Sequence, residues 1–190
     1  AAQPPKTLSQ GVPLAHKLLR DHGRINLNAL LTDDPETFKQ LKAFSVAEMP
    51  YLSSLIHLYK GRESLFKAEG IEETIEAALE PLVPLPNGGN IIINETSALI
   101  CVDVNTGDTN QNNHKQMLKS VNKEAAEIFA KQIRLRNLSG LMVIDFLKMH
   151  NKRNQLDILK TLRRAVKDDP QPTFVGGFTQ FGLVEITRQR

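Results

Sequence analysis

The sequence has 190 residues, of which 41% are hydrophobic and 24% charged, so it can form one full domain or two small ones. No run of 18 apolar residues occurs, and the first residues lack the apolar core of a signal peptide, which predicts a cytoplasmic protein without membrane contact. A single cysteine, Cys101, permits neither an internal disulfide nor a cysteine-built zinc site. We expect it to be a small core residue.

Charge is unevenly distributed along the chain. The formal net charge is +3, but residues 1–90 carry nine Lys and Arg against eleven Asp and Glu, whereas residues 91–190 carry fifteen against ten. The positive second half is compatible with a polyanionic partner, and it is equally ordinary for a soluble domain. Tryptophan is absent, so stacking on nucleic-acid bases would depend on a few residues such as Phe146 or Phe181.

Residues 1–84 are predicted to form a small α/β domain. Apolar spacing, proline positions and an acidic helix start indicate the order helix, strand, helix, strand, helix. These predicted elements cover residues 13–22, 24–31, 33–49, 52–59 and 71–79. No catalytic constellation occurs among them, so we expect this domain to have a supporting role.

The stretch around Asn87 marks the boundary with a second domain, residues 85–190. An Asn-Gly pair between apolar runs favours a tight turn, so residues 83–85 and 91–93 are predicted to pair as antiparallel strands. A glycine-rich loop could instead hold a phosphate, but no helix follows it directly and no Gly-Lys-Ser/Thr ending is present. We favour the turn.

The second domain is organised around a strand, a long helix and a second strand, within residues 98–146. Both strands are almost unbroken apolar runs, which predicts burial on both faces of a sheet. Each has one acidic residue near its end, Asp103 in the first and Asp145 in the second. The intervening apolar residues recur at helical spacing over about six turns. The unit is therefore parallel, and both aspartates are predicted at the carboxyl edge, where open α/β sheets bind ligands.

Two carboxylates on neighbouring strands repel each other, and protonation or a cation must relieve that repulsion. Magnesium typically takes one or two protein carboxylates, keeps several waters and binds phosphate oxygens, so the pair suggests phosphoester chemistry. The alternative is structural, because each aspartate could cap a nearby helix or pair with Arg134 or Arg136. The residue pattern leaves both readings open.

A series of motifs occurs in the order and spacing of the ribonuclease E/G family, which the sequence therefore resembles. The motifs include Pro86-Asn-Gly-Gly-Asn90, Asp103-Val-Asn105, Asn122-Lys-Glu-Ala-Ala126, Gly140-Leu-Met-Val-Ile-Asp-Phe146 and Phe181-Gly-Leu-Val-Glu-Ile-Thr-Arg-Gln-Arg190. The likeness continues more weakly to about residue 18. An ordered series across the chain is more specific than any one motif.

The resemblance implies a fold, an activity and a site. The fold is α/β with a mixed sheet, in which a ribonuclease H-like subdomain, residues 1–84, precedes a DNase I-like catalytic subdomain, residues 85–190. The activity is magnesium-dependent hydrolysis of single-stranded RNA that leaves 5′-phosphate ends. Asp103 and Asp145 would hold the Mg²⁺, for which Mn²⁺ is an alternative, and Asn105 would be the third catalytic residue by orienting one carboxylate.

The family also has parts that this sequence does not contain, namely an S1-type RNA-binding barrel, a segment that senses the RNA 5′-end and a Cys-x-x-Cys zinc link. We therefore expect no zinc in this chain, which is either a minimal relative or a piece of a larger enzyme. This sequence also differs from the family at several positions. Lys148 occupies a position where the family often has an acid, and Pro172 and Gln180 occupy positions where it is commonly basic. These losses motivate the main alternative, a non-catalytic RNA-binding or scaffolding module. A different metal-dependent phosphodiesterase is a third reading, and homo-oligomerisation stays open.

Basic residues remain on both predicted helices of the second domain. On the later helix, residues 151–167, they share one face. The residues predicted to contact single-stranded RNA are Lys115, Arg153, Arg164, Lys167 and, by stacking, Phe146. The alternative is that the basic residues form an ordinary solvated helix face.

Overall fold

The protein has a mixed α/β fold, as the sequence predicts. The structure is a computed structural model that describes residues 13–23, 27–86, 88–107 and 114–190, without the side chains of His114 and Lys115. Its contacts divide the chain into two compact units, Ala1–Glu73 and Thr74–Arg190. None of the described helices is both long and apolar enough to cross a membrane. The likeness of the units to ribonuclease H and DNase I stays a prediction.

The first unit contains a short parallel sheet and several helices. Its elements are α1 (Leu14–His22), β1 (Leu30–Thr32), α2 (Pro35–Glu48), a 3₁₀ helix (Pro50–Leu55), β2 (Ile56–Leu58), α3 (Leu65–Ala68) and the beginning of α4 (Ile71–Leu79). Helix α2 begins where the Asp34 carboxylate accepts a hydrogen bond from the Thr37 N–H at 2.7 Å, with Pro35 at the first helical position. A small core forms from Leu19, Leu41, Met49, Leu52 and Ile56.

The two strands predicted in this unit are shorter than expected. Residues 50–55 form a 3₁₀ helix because Pro50 fixes a helical φ at its first position, so only Ile56–Leu58 remains of the strand predicted at 52–59. The strand predicted at 24–31 is found at Leu30–Thr32, and residues 24–26 lie outside the described part. The helices predicted over residues 13–22, 33–49 and 71–79 are confirmed.

The second unit is built on a mixed sheet of six strands in the order β3-β4-β5-β6-β8-β7. Its elements are β3 (Leu82–Pro84), β4 (Asn90–Glu95), β5 (Ile100–Asn105), α5 (His114–Leu135), β6 (Gly140–Asp145), α6 (Lys152–Ala165), β7 (Thr173–Phe178) and β8 (Leu183–Arg188). Strands β5 and β6 are parallel, and the other neighbours are antiparallel. The parallel strand-helix-strand unit predicted from the sequence is therefore confirmed.

Helices α5 and α6 pack on one face of this sheet. Their buried side chains, which include Phe129 and Leu162, share one core with the inward residues of the strands, such as Val102, Ile144 and Ile186. All five are at most 2% exposed. Along β5, β6 and β8, buried residues alternate with exposed or half-buried ones, because successive residues of a strand point to opposite faces. The exposed and half-buried residues lie on the face away from the helices.

Strands β5 and β6 therefore depart from the prediction that they are buried on both faces; in β6, Leu141 is exposed and Val143 is half-buried. Ile100, Val102 and Val104 are buried against the helices, whereas Cys101 and Asp103 are exposed. The expectation that Cys101 is a core residue is wrong for the same reason. An apolar run predicts burial on both faces, but within the described residues helices cover only one face of this strand.

The predicted antiparallel pairing of β3 and β4 is confirmed, with Val83 opposite Ile91, but residues 85–89 connect the paired ends, so the connection is longer than a tight Asn-Gly turn. The Leu85 N–H donates to the Gly89 carbonyl at 3.0 Å, and the Gly88 N–H donates to the Leu85 carbonyl at 3.1 Å. Gly88 and Gly89 have φ of 89° and 92°, a conformation that a glycine adopts without steric cost. Asn87 itself lies outside the described residues.

Candidate metal centre

The two aspartates singled out by the sequence lie side by side at one edge of the sheet. Asp103 on β5 and Asp145 at the end of β6 are direct partners in the register of the parallel pair. Adjacent strands are about 4.8 Å apart. Both side chains are exposed, on the face that α5 and α6 leave open. Although 42 residues apart in the sequence, the two aspartates are neighbours across the strand pair.

Asn105 orients the first of these carboxylates. Its Nδ2 donates to Asp103 Oδ2 at 3.0 Å and, at 3.4 Å, to Oδ1 of Asn90, its neighbour on β4. Among the described residues, no hydrogen bond or ion pair reaches the Asp145 carboxylate. One member of the pair is thus held by an amide, and none of the described residues occupies the other carboxylate.

The pairing of these aspartates with Arg134 or Arg136, one structural alternative, is not found. Arg134 donates to the Ala165 carbonyl at 3.1 Å, and Arg136 donates to Gln132 and to the Glu80 carbonyl, each at 2.7 Å. Neither arginine contacts Asp103 or Asp145. The two carboxylates are therefore adjacent without a described basic partner, and a cation would relieve their repulsion.

The donor set suits magnesium. Two carboxylates offer hard oxygen ligands, and Mg²⁺ commonly binds through one or two of them while water and phosphate oxygens complete its shell. Within the described residues, no group of three or more His, Cys, Asp and Glu side chains could hold a metal ion. The arrangement resembles an open site for an ion that also contacts a phosphate, in contrast to a closed protein cage.

A cleft of about 820 Å³ opens beside the carboxylates. The loop after β6, the first turn of α6 and the turn between β7 and β8 form its walls. Its lining includes Asp103, Asp145, Phe146, Lys148, His150, Lys152, Gln155, Phe178, Gln180 and Phe181. Lysines and aromatic rings thus border the carboxylates, a combination suited to a nucleic acid strand.

Asn122 fixes the loop that carries the cleft wall. This residue of α5 is fully buried, and its amide Nδ2 donates to the Leu147 carbonyl at 2.8 Å while its Oδ1 accepts from the Leu147 N–H at 2.9 Å. Because both backbone groups of Leu147 are bound by one side chain, the segment directly after Asp145 has a defined path. The Gln155 Nε2 adds a hydrogen bond to the Met149 carbonyl at 2.9 Å.

The predicted RNA-contacting residues are dispersed. Phe146 lines the cleft but is only 5% exposed, with its ring centroid 6.3 Å from that of Phe178. Arg153 is exposed in the first turn of α6, near the cleft. Arg164 pairs with Glu127 at 3.5 Å. Arg164 lies twelve residues after Lys152 on α6, which is about 18 Å along the helix axis.

The remaining two predicted RNA-contacting residues are Lys167 and Lys115. Lys167 follows α6 and lines a separate cavity of about 620 Å³ beside β7. The side chain of Lys115, in the first turn of α5, lies outside the described residues. The RNA contacts of the whole set stay predictions, but Arg164 and Lys167 lie at the end of α6 remote from the carboxylates.

The sequence pattern does not single out Lys148 and Lys152 as site residues. A signal for Lys152 was available, because a helix that follows a parallel strand begins at the carboxyl edge of the sheet, where ligands bind. The sequence indicates Lys148 only as a replacement for an acid of the family. Its place in the cleft follows from the loop path fixed by Asn122.

Comparison with known proteins identifies the group to which this chain is related. Its whole length, residues 1–190, matches the sequence profile of the Ribonuclease E/G family. The chain belongs to the ribonuclease E/G family. It is 37% identical over 189 residues to Ribonuclease G of Haemophilus influenzae, a match that covers 98% of this chain and 38% of that protein.

Other members of the ribonuclease E/G family show the same pattern. The chain is 37% identical to Escherichia coli Ribonuclease G over 178 residues, which is 93% of this chain and 36% of the relative. It is also 37% identical to Escherichia coli Ribonuclease E over 176 residues, or 92% of this chain and 17% of that protein. The chain thus spans about two fifths or less of the length of these relatives.

Proposed function

We propose that this protein is an endoribonuclease that hydrolyses single-stranded RNA with Mg²⁺ and leaves 5′-phosphate ends. The observation that carries the proposal is the pair of in-register carboxylates, Asp103 and Asp145, in a chain that belongs to a family of ribonucleases. The cleft beside the pair is open and bordered by lysines and aromatic rings, which supports a single strand as substrate.

Each site residue has a defined task in this proposal. Asp103 and Asp145 hold the divalent ion, for which Mn²⁺ can substitute, and Asn105 keeps the Asp103 carboxylate in one orientation. When bound, the ion supplies Lewis-acid stabilisation of charge on a phosphate oxygen and lowers the pKa of water. Lys148 and Lys152 attract the RNA backbone into the cleft and neutralise phosphate charge beside the carboxylates.

Cleavage of a labelled, unstructured RNA tests the proposal. The unchanged protein should give products with 5′-phosphate ends in Mg²⁺ and none in chelator. Asp103→Asn should lower the cleavage rate by more than about 100-fold, because it removes a ligand of the ion. RNA binding measured in chelator should survive this substitution.

The matched control is Glu185→Gln, which removes an exposed carboxylate from β8 two positions beyond the strand partner of Asp145. Its cleavage rate should equal that of the unchanged protein. If Asp103→Asn cleaved RNA at the unchanged rate, the activity would come from another site and the assignment of these carboxylates would be wrong.

A non-catalytic RNA-binding module is the second candidate. One observation favours it: Lys148 and Gln180 line the cleft at positions where the resemblance implies an acid and an arginine. In that case RNA should bind with a strong dependence on salt, and no cleavage should occur in Mg²⁺ or Mn²⁺.

A further inference from the structure

Phe181 is the most exposed large hydrophobic residue described in the chain. Its side chain is 91% exposed, in the turn between β7 and β8, and it lines the cleft that contains Asp103 and Asp145. A phenyl ring so placed gains almost nothing from burial in this fold. It is therefore available to contact a ligand.

The turn that carries this ring is held by three hydrogen bonds. The Thr179 N–H donates to the Leu183 carbonyl at 2.8 Å, and the Gly182 N–H donates to the Thr179 carbonyl at 3.0 Å. The Leu183 N–H donates to Thr179 Oγ1 at 3.1 Å. Gly182 has a φ of 88°, which allows the tight return into β8. The ring is thus presented by a closed turn.

The sheet register brings this turn to the carboxylates. Leu183 at the start of β8 is the direct partner of Asp145 on β6, and Asp145 is in turn the partner of Asp103 on β5. Phe181 lies two residues before Leu183. The exposed ring, in the turn before β8, and the two carboxylates, on β5 and β6, therefore lie at the same edge of the sheet. These three strands are neighbours in the sheet.

Exposure alone does not indicate a binding site, because single exposed apolar residues are ordinary on protein surfaces. Phe174 on the edge strand β7 is 70% exposed and lies outside this cleft, so it provides the comparison within the same chain. What distinguishes Phe181 is its place on the wall of a cleft that also contains two carboxylates and two lysines. The ring suits the base of a nucleotide, and the lysines suit its phosphates.

The chemistry that combines these features is base stacking. An unpaired nucleobase stacks on an aromatic ring whatever its identity, because every base has a π-face. Lys148 and Lys152 on the cleft wall can contact the phosphates on either side of such a base. The aromatic side chains Phe146 and Phe178 also line the cleft, with their centroids 6.3 Å apart.

We propose that Phe181 is a substrate-binding residue on which one unpaired base of single-stranded RNA stacks, which positions the neighbouring phosphate at Asp103 and Asp145. This inference rests on the proposed ribonuclease function for the identity of the ligand. It adds that the protein requires an unstacked base next to the reacting phosphate. Paired RNA is then rejected because its bases are not available to the ring.

A tryptophan reporter tests the contact directly. The chain contains no tryptophan, so Phe181→Trp introduces a single tryptophan at the turn, which can be excited selectively at about 295 nm, and Phe174→Trp introduces the matched control. With chelator present, added single-stranded RNA should quench the fluorescence of Phe181→Trp in a saturable manner. The fluorescence of Phe174→Trp should not change, and a duplex of the same sequence should quench neither variant.

Affinity measurements separate stacking from a structural effect. Phe181→Ala should weaken binding of single-stranded RNA about 10-fold, whereas Phe174→Ala should leave it unchanged. Phe181→Tyr should restore binding, because tyrosine also offers an aromatic face. Thermal unfolding of Phe181→Ala should match that of the unchanged protein, since the ring is exposed.

An abasic substrate identifies the stacked base. In a series of RNA oligonucleotides with one abasic position each, one position should weaken binding to the unchanged protein as much as Phe181→Ala does. At that position the two changes should not add. At the other positions their effects should add.

The outcomes distinguish this inference from the proposed function. Quenching and loss of affinity as described, with no cleavage in Mg²⁺, would support the stacking role and contradict hydrolysis. Cleavage that depends on Asp103 but is unaffected in rate and affinity by Phe181→Ala would contradict stacking and leave the proposed function intact. Absence of RNA binding by the unchanged protein would overturn both.

Discussion

At the scale of single residues, the site depends on two carboxylates that the fold forces together. Asp103 and Asp145 are strand partners, and the only described hydrogen bond to either side chain comes from Asn105 at 3.0 Å. Adjacent like charges without a basic partner are unfavourable. Their retention at one sheet edge is explained if a cation binds there.

The first prediction at this scale concerns metal binding by the folded protein. Millimolar Mg²⁺ or Mn²⁺ should raise the melting temperature, because an ion that binds only the folded state at 100 times its Kd stabilises it by about 2.7 kcal/mol. For a chain of this size that corresponds to roughly 5–10 °C. Asp103→Asn and Asp145→Asn should each abolish most of the rise, as measured by calorimetry.

The exposed carboxylate Glu185 again supplies the control, since it lies on the neighbouring strand but not at the edge. Glu185→Gln should keep the full metal response. Equal melting temperatures with and without metal, in the unchanged protein and in both aspartate variants, would leave these aspartates without a metal-binding role.

At the scale of elements, the position of the cleft depends on how the loop after β6 is attached to α5. The buried amide of Asn122 binds both backbone groups of Leu147, at 2.8 and 2.9 Å. No other described side chain is hydrogen-bonded to Leu147. The helix therefore sets the path of the segment that leads from Asp145 to Lys148.

We expect Asn122→Ala to destabilise the protein by about 1–3 kcal/mol, because it leaves the N–H and the carbonyl of the half-buried Leu147 without their partner. It should also reduce RNA cleavage, since the cleft wall loses its attachment. Urea unfolding and the cleavage assay measure the two effects. Ser120→Ala, an exposed change on the same helix, should alter neither; similar losses in both variants would mean that a general change in α5 is responsible.

At the scale of the whole second unit, a buried ion pair joins three distant segments. Arg188 at the end of β8 binds both carboxylate oxygens of Asp169, at 2.8 and 3.0 Å. Its Nη1 also donates to Asn137 Oδ1 and to the Leu138 carbonyl, at 2.9 and 3.0 Å. The side chains of Arg188 and Asp169 are 4% and 1% exposed. This arginine connects the segment after α6 with the turn between α5 and β6.

The pair makes stability depend on acid pH. Burial acts to raise the pKa of Asp169, but the hydrogen bonds from Arg188 and from the Gln171 N–H outweigh it, so the pKa lies below its ordinary value of 3.8. A carboxyl with a lowered folded pKa adds stability that is fully present above 3.8 and is lost as pH falls through the folded value. Unfolding measured between about pH 5 and pH 2 should show this loss.

Asp169→Asn should flatten that pH dependence. It should also lower the free energy of unfolding at neutral pH by about 3–5 kcal/mol, because the buried Arg188 charge loses its partner. The comparison is Asp157→Asn, which removes a half-exposed pair with Lys119 and should have a much smaller effect. Equal effects of the two substitutions would contradict the special role of the buried pair.

The sequence by itself determined the main helices and strands of the second unit, and it placed Asp103 and Asp145 near the ends of their strands. Helical spacing and apolar runs are local properties of the chain, so α5, α6 and the strands β5 and β6 follow from them. The connection through a helix makes β5 and β6 parallel, which brings Asp103 and Asp145 to one edge. The turn around Asn87 was equally local.

Only the tertiary structure decided which faces are covered and which distant segments meet. One face of β5 lacks a covering helix among the described residues, so Cys101 is exposed although its run is apolar. β8 is inserted between β6 and β7, which brings Phe181 to Asp145 and buries Arg188. Such pairings depend on the hydrogen-bond register between strands far apart in sequence and on the packing of a shared core. No local pattern of residues specifies either of them.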